Sequence, residues 1–213
     1  MASIERRLNH SRVKRLAFDN AQHAGLIIRE NFMPKFLKGI RGYVDLPAIR
    51  RANITVIVDS MHGTGGRIIE GLLAGGRCRV TTLHGEPDPL FGGQAPEPIP
   101  SHLGQLARTV ARTHAHVGLA NDGDADRLGL IGPGGTWLNP GQVMCVILAH
   151  LVTSRRMRGA VVKTVSNTMM INRMADALGL RLIEVPVGFK HVAKHMLTDD
   201  ILIGGEESGG IGV

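Results

Sequence analysis

From about residue 41 onward, short β-branched apolar runs alternate with longer stretches of helical periodicity. Ile54-Thr55-Val56-Ile57-Val58 is a run suited to a strand covered on both faces. A Gly-rich loop occupies 59–66, and 67–74 continue as a helix. Residues 78–83 predict a second strand, and the Pro- and Gly-rich stretch 85–100 predicts a long loop. Ser101, just after Pro100, is placed to N-cap a helix reaching His114. A third strand is expected over 116–120. Another apolar run, 128–131, leads into the turn Gly132-Pro133-Gly134-Gly135. Asn139-Pro140 has N-cap and N1 chemistry, and the helix it opens reaches Thr153.

The polar and basic stretch 154–159 marks a domain boundary, after which the alternation resumes. Strands are predicted over 160–165, 181–185 and 201–204. Helices are predicted over 167–179, ending in Gly179, and 188–197. The last strand runs into Gly205-Glu206-Glu207-Ser208-Gly209-Gly210. The fold class expected is α/β: two consecutive three-layer α/β/α units with mostly parallel sheets, at 41–155 and 156–213. The second is expected to be incomplete, because Val213 follows directly on a glycine-rich loop. Residues 1–40 offer helical stretches at 4–15 and 17–30 with too little apolar surface for a domain. They read as the tail and linker of a missing neighbour.

Composition narrows the function classes. Hydrophobic residues make up 43% of the 213, ample for a core, but aromatics only 3%, which argues against base stacking on nucleic acid. The net charge of +7 points the same way once it is located. Residues 1–50 hold ten Lys/Arg against four Asp/Glu, and 51–213 hold fifteen against fourteen, so the body is nearly neutral. Cys78 and Cys145 lie far apart in apolar surroundings and read as reduced core thiols. No apolar segment follows the basic N-terminus as in a signal peptide, and no run approaches a membrane span, so a cytoplasmic protein without a membrane partner is expected.

The chemistry concentrates in Asn121-Asp122-Gly123-Asp124-Ala125-Asp126-Arg127. Carboxylates at i, i+2 and i+4 on extended or loop backbone project to one side, and three hard oxygen donors there suit Mg²⁺ or Ca²⁺. An EF-hand is excluded. Counted from Asp122, its obligatory Gly and Glu positions hold Arg127 and Pro133. A solvated acidic turn is the plainer alternative, but apolar strands flank the cluster and crowded carboxylates repel without a counter-ion.

Other motifs are weaker singly. Met61-His62-Gly63-Thr64-Gly65-Gly66 is neither a Walker A loop nor a dinucleotide fingerprint, since no GK[ST] follows and Ile68 takes the third glycine's place. It reads as a tight strand-to-helix turn. Lys163, inside an apolar strand, either faces solvent or faces the same cleft as the carboxylates, where it could act as acid/base or bind an anion. Gly188 and Lys190, at the start of a helix, offer an anion site or only a surface lysine. Glu206 and Ser208 pair a carboxylate with a hydroxyl, suited to vicinal sugar hydroxyls or only to a turn.

Taken together and in order, VDSMHGTGGR (58–67), NDGDADRLG (121–129), VVKTV (161–165), VPVGFKHV (185–192) and GGEESGG (204–210) resemble the α-D-phosphohexomutases, the phosphoglucomutase/phosphomannomutase family. The resemblance implies a four-domain enzyme moving a phosphoryl group between the 1- and 6-positions of a hexose phosphate. A phosphoserine donates it, through a 1,6-bisphosphate intermediate, with glucose or mannose 1,6-bisphosphate as activator. By motif, Asp122, Asp124 and Asp126 match Mg²⁺ ligands, and Arg127 the arginine beside the phosphoserine. Lys163 and Lys190 match cleft lysines, and Gly188, Glu206 and Ser208 the sugar-binding elements. No Ser-His-Asn-Pro string and no C-terminal phosphate-grasping loop occur in the sequence. The resemblance thus covers domain 2 and most of domain 3. Domains 1 and 4 become the expected partners, and the chain alone is expected to be inactive. The rival readings are a non-catalytic metal- or sugar-phosphate-binding module, and a nucleic-acid-binding protein using the basic tail.

Overall fold

The structure, a computed structural model, describes residues 5–7 and 14–213. Most of the helix expected over 4–15 lies outside the described residues. The chain divides into two compact units, 1–45 and 46–213, a few residues beyond the break expected at 40/41. The first holds α1 (Phe18–His23) and α2 (Met33–Tyr43). Pro34 starts α2 well, since its missing N–H would have no helical partner there. Met33, Phe36, Leu37 and Ile40 recur at helical spacing, yet no residue of α2 is buried.

The second unit runs α3 (Leu46–Arg51), β1 (Thr55–Asp59), α4 (Ile68–Leu73), β2 (Arg79–Leu83), α5 (Gly104–Thr113), β3 (Val117–Asn121), β4 (Leu128–Ile131) and β5 (Trp137–Leu138). It continues through α6 (Pro140–Thr153), β6 (Ala160–Thr164), α7 (Met169–Ala177), β7 (Leu182–Val185), α8 (Phe189–Thr198), β8 (Ile201–Gly205) and β9 (Ile211–Gly212). Two mixed sheets of mostly parallel strands result. The first has the order β2-β1-β3-β4-β5, with β1 parallel to β2 and β3, and β4 and β5 antiparallel. The second has the order β7-β6-β8-β9, parallel except for β9. Both sheets carry an antiparallel edge that short apolar runs such as Trp137-Leu138 did not announce.

The strand ends place the site. Asp59 pairs in register with both Leu83 and Ala120, so β1, β2 and β3 finish along one edge of their sheet. The order 2-1-3 makes the chain leave β1 and β3 in opposite directions, where open α/β sheets form ligand crevices. In the second sheet Thr164, Val185 and Gly205 finish β6, β7 and β8. Alternation along β6 covers both faces. Val161 packs with Met144, Leu148, Ile171 and Ile203, while Val162 packs with Val185 and Val192 of α8.

Two boundaries differ from the sequence expectation for physical reasons. The helix after Pro100 starts at Gly104, capped by Leu103 without a side-chain bond. The amides of His102 and Leu103 both turn back to the Ile99 carbonyl, so Ser101 belongs to that turn and is no N-cap. Helix α6 opens as expected, with a capping box between Asn139 and Gln142. However, its Met144, Cys145, Leu148, Leu151 and Val152 fill the core of the second sheet. The packing break therefore precedes α6, rather than falling at 155/156.

Gly118 shows how tightly α5 sits on the first sheet. A Cβ there would lie 2.8 Å from Val110 Cγ2, 3.0 Å from Leu106 Cδ1 and 3.1 Å from Ile131 Cβ. All three neighbours belong to one buried cluster with little room to yield. Gly118→Ala is expected to destabilise the chain by about 1–3 kcal/mol, read as a lower urea midpoint at unchanged m-value. An unchanged midpoint would contradict this packing.

Candidate metal and sugar site

The acidic loop continues directly from β3 and is shaped by Asp122. Its carboxylate is buried. One oxygen accepts the amides of Asp126 and Arg127 at 3.0 Å each, and the other accepts Arg127 Nε at 2.7 Å. These bonds curl the chain around the carboxylate and hold Ala125 at φ 63°, a conformation uncommon for a residue with a Cβ. Burial alone would push the Asp122 carboxyl up. The Arg127 amide and guanidinium outweigh it and hold the group below its ordinary value. Asp126 moves the other way, raised first by desolvation and then by the charges of Asp122 and Asp124. The three carboxylates each bring an oxygen within 4.8 Å of the others. Converging hard donors with mutual repulsion fit a hard divalent cation.

The loop 60–66 explains its glycines. A Cβ on Gly63 would come 2.5 Å from the Gly123 carbonyl, which instead accepts the Thr64 amide at 3.0 Å. Ser60 closes the same turn through a hydrogen bond to the Gly66 carbonyl. The loop is thus a backbone buttress for the acidic loop.

The Glu-Ser loop follows β8. Glu206 accepts the Gly188 amide at 2.9 Å and so ties itself to the start of α8; its other oxygen lies 3.4 Å from Ser208 Oγ. Glu207 accepts from the Thr164 hydroxyl at 2.8 Å. The two loops meet where the Leu128 amide donates to the Gly209 carbonyl at 3.1 Å. A Cβ on Gly209, which sits at φ 101°, would lie 2.8 Å from the Leu128 carbonyl, so glycine permits this approach.

Between the loops lies an open hollow of about 530 Å³. Asp122, Asp124, Asp126 and Arg127 stand on one side, with Glu206, Ser208 and Phe189 on the other. Phe189 was visible in the sequence only as a member of GFKH and had no assigned role. Gly188 touches the site through its amide. The lysines are elsewhere. Lys190 is exposed on α8 and is not among the lining residues. Lys163 is buried, not at a cleft: its Nζ donates to the Asn167 carbonyl at 3.1 Å and pairs with Glu184 at 3.2 Å. Odd and even positions of β6 face opposite ways, so Lys163 shares the side of Val161 beneath α7.

This α/β architecture, with three converging carboxylates beside a carboxylate-hydroxyl loop, has relatives among known proteins. The model of phosphoglucomutase/phosphomannomutase α/β/α domain II matches residues 34–135, and that of domain III matches 139–213. The chain belongs to the phosphoglucomutase/phosphomannomutase family. It is 29% identical to a phosphoglucomutase/phosphomannomutase of Thermococcus kodakarensis over 88% of this chain and 41% of the relative. It is 32% identical to a probable phosphoglucosamine mutase of Methanosphaera stadtmanae over 73% of this chain and 33% of the relative. A putative phosphomannomutase from Thermus thermophilus superposes with a TM-score of 0.79 at 35% identity, over 86% of this chain and 42% of that one. The chain thus spans about two fifths of the length of the first of these relatives.

The Lys163 pairing yields a test. Asn172 and Lys163 hold the Glu184 carboxyl below its ordinary value. Glu184→Gln removes the countercharge of a buried ammonium and is expected to lower the urea midpoint, by less than for a fully buried pair because Glu184 is exposed. Lys163→Met with Glu184→Gln removes the stranded charge and is expected to regain most of that loss. A double variant as unstable as the single one would contradict the pairing.

Proposed function

We propose that this chain is the metal- and sugar-holding part of a Mg²⁺-dependent phosphohexomutase. The enzyme would interconvert hexose 1-phosphate and hexose 6-phosphate through a phosphoserine and a 1,6-bisphosphate intermediate. The observation that carries the proposal is the single hollow shared by the three carboxylates, Arg127, Glu206 and Ser208. Asp122, Asp124 and Asp126 would hold Mg²⁺, which when bound supplies Lewis-acid stabilisation to phosphoryl oxygens. Arg127, already fixed by Asp122, presents fixed positive charge toward phosphate. Glu206 accepts from sugar hydroxyls while the Gly188 amide keeps its orientation, and Ser208 can donate or accept beside it. Phosphoryl transfer depends mainly on such positioning and charge neutralisation.

In this reading the chain carries domain 2 and most of domain 3, and domains 1 and 4 of the same enzyme are its partners. Lys190, one residue along α8 from Phe189, is the lysine best placed to reach a bound phosphate. Lys163 would act at one remove, by supporting the strand end beneath Thr164 and Glu207. The sequence offers no Ser-His-Asn-Pro string, so the isolated chain is proposed to bind metal without running the cycle.

Calorimetric titration with Mg²⁺ tests the site. Asp124→Asn, an exposed change that preserves shape, is expected to weaken binding by roughly tenfold, about 1.4 kcal/mol. Equal affinity in both proteins would remove the carboxylates from the metal site. With glucose 1-phosphate and the bisphosphate activator present, no glucose 6-phosphate is expected from this chain alone; its formation would contradict the half-site reading.

A further inference from the structure

A second hollow, about 390 Å³, opens beyond the C-terminal ends of β1 and β2, against the first turns of α5. It shares no lining residue with the metal and sugar hollow, and the proposed function uses none of its side chains. His62, His84, His102 and Arg108 line it, and Asp59 is the one carboxylate on its walls. Asp59 is buried and already engaged, accepting the Met61 amide at 3.0 Å and His84 Nδ1 at 2.8 Å through one oxygen. Asp88, the acidic neighbour of His62, is occupied by the amides of Leu90 and Gly92. The Glu86 carboxylate is paired with Arg67.

The histidines share one arrangement. His62 Nδ1 faces the Glu86 carbonyl at 2.9 Å, and His102 Nδ1 faces the Glu97 carbonyl at 3.0 Å. A carbonyl only accepts, so Nδ1 carries the proton in both, as it does in His84 against Asp59. Each ring thereby has Nε2 left over from that bond, and protonation turns it into a further donor. The His62 and His84 rings lie side by side, 4.9 Å between centroids, so one ligand in the hollow can meet both. A cation is the poorer fit. Among the described residues, the Asp122-Asp124-Asp126 group is the one set of His, Cys, Asp or Glu whose ligand atoms converge closely enough for a metal.

The backbone marks the same place. Seven described residues other than glycine have positive φ, and four of them, Met61, His62, His84 and Phe91, line this hollow. Such conformations are uncommon and collect where the surroundings hold them for a task. From Arg108 the positive surface continues along α5 to Arg112. A planar guanidinium fork beside imidazole donors suits the tetrahedral oxygens of phosphate.

We propose that this hollow is a second ligand site, for a small phosphate-bearing anion, with Arg108 as the fork and the histidines as additional donors. Its test follows the histidine ring signals of the full chain by NMR. Inorganic phosphate is titrated at constant pH, with ionic strength held by sodium chloride. Saturable shifts of His62, His84 and His102 are expected. In Arg108→Gln, an exposed change that leaves the core intact, the affinity should fall roughly tenfold. Asp124→Asn should leave the phosphate titration unchanged, which separates this site from the metal loop. Absence of saturation, equal shifts with sodium chloride alone, or wild-type affinity in Arg108→Gln would each overturn the proposal.

Discussion

The site depends on one buried carboxylate. Asp122 gathers two amides and a guanidinium around itself, and that closure converts a short acidic sequence into a loop of fixed shape. A carboxylate so buried is tolerable only when its oxygens are satisfied. The same bonds that satisfy it hold the Asp126 backbone and anchor Arg127. The charge pattern then follows. Asp122 stays ionised because its own loop neutralises it, and its charge, after desolvation, helps raise Asp126. A cation placed among the three relieves what the protein leaves unresolved.

Everything around the loop limits its movement. The 60–66 turn reaches it by backbone contact at Gly63 and Thr64, and Leu128, just after it, donates to the Gly209 carbonyl in the loop that follows β8. The hollow is therefore assembled from the strand ends of two sheets, with the Glu206 carboxylate oriented by the amide of Gly188. The sheets need no direct pairing, because α6 fills the second core while its cap lies just after β5 of the first. The arrangement rests on glycines that permit close backbone approach and on an Asp122 carboxylate held by hydrogen bonds.

Much of this was legible in residue order. β-branched runs at 54–58 and 160–165 marked central strands, Asn139-Pro140 marked a helix start, and the spacing of Asp122, Asp124 and Asp126 marked carboxylates that converge. The remainder depends on tertiary partners. Lys163 lies in an apolar strand whether it faces a cleft or a helix; only its pairing with Glu184 and Asn167 decides between them. Ser101 had N-cap chemistry, but the preceding turn already takes the Leu103 amide it would have served. Helix α6 reads equally well with either sheet until its buried side chains are assigned. The Asp59–His84 contact joins residues 25 positions apart, which no local pattern displays.

The central claim is that a cation held by the acidic loop faces the Glu-Ser loop across one hollow. Paramagnetic broadening by substoichiometric Mn²⁺, read on the backbone amides, tests this most directly. The account predicts that signals from residues 122–127 and 206–210 broaden together and recover together when Mg²⁺ is added in excess. Broadening confined to one loop, or centred elsewhere on the chain, would contradict it.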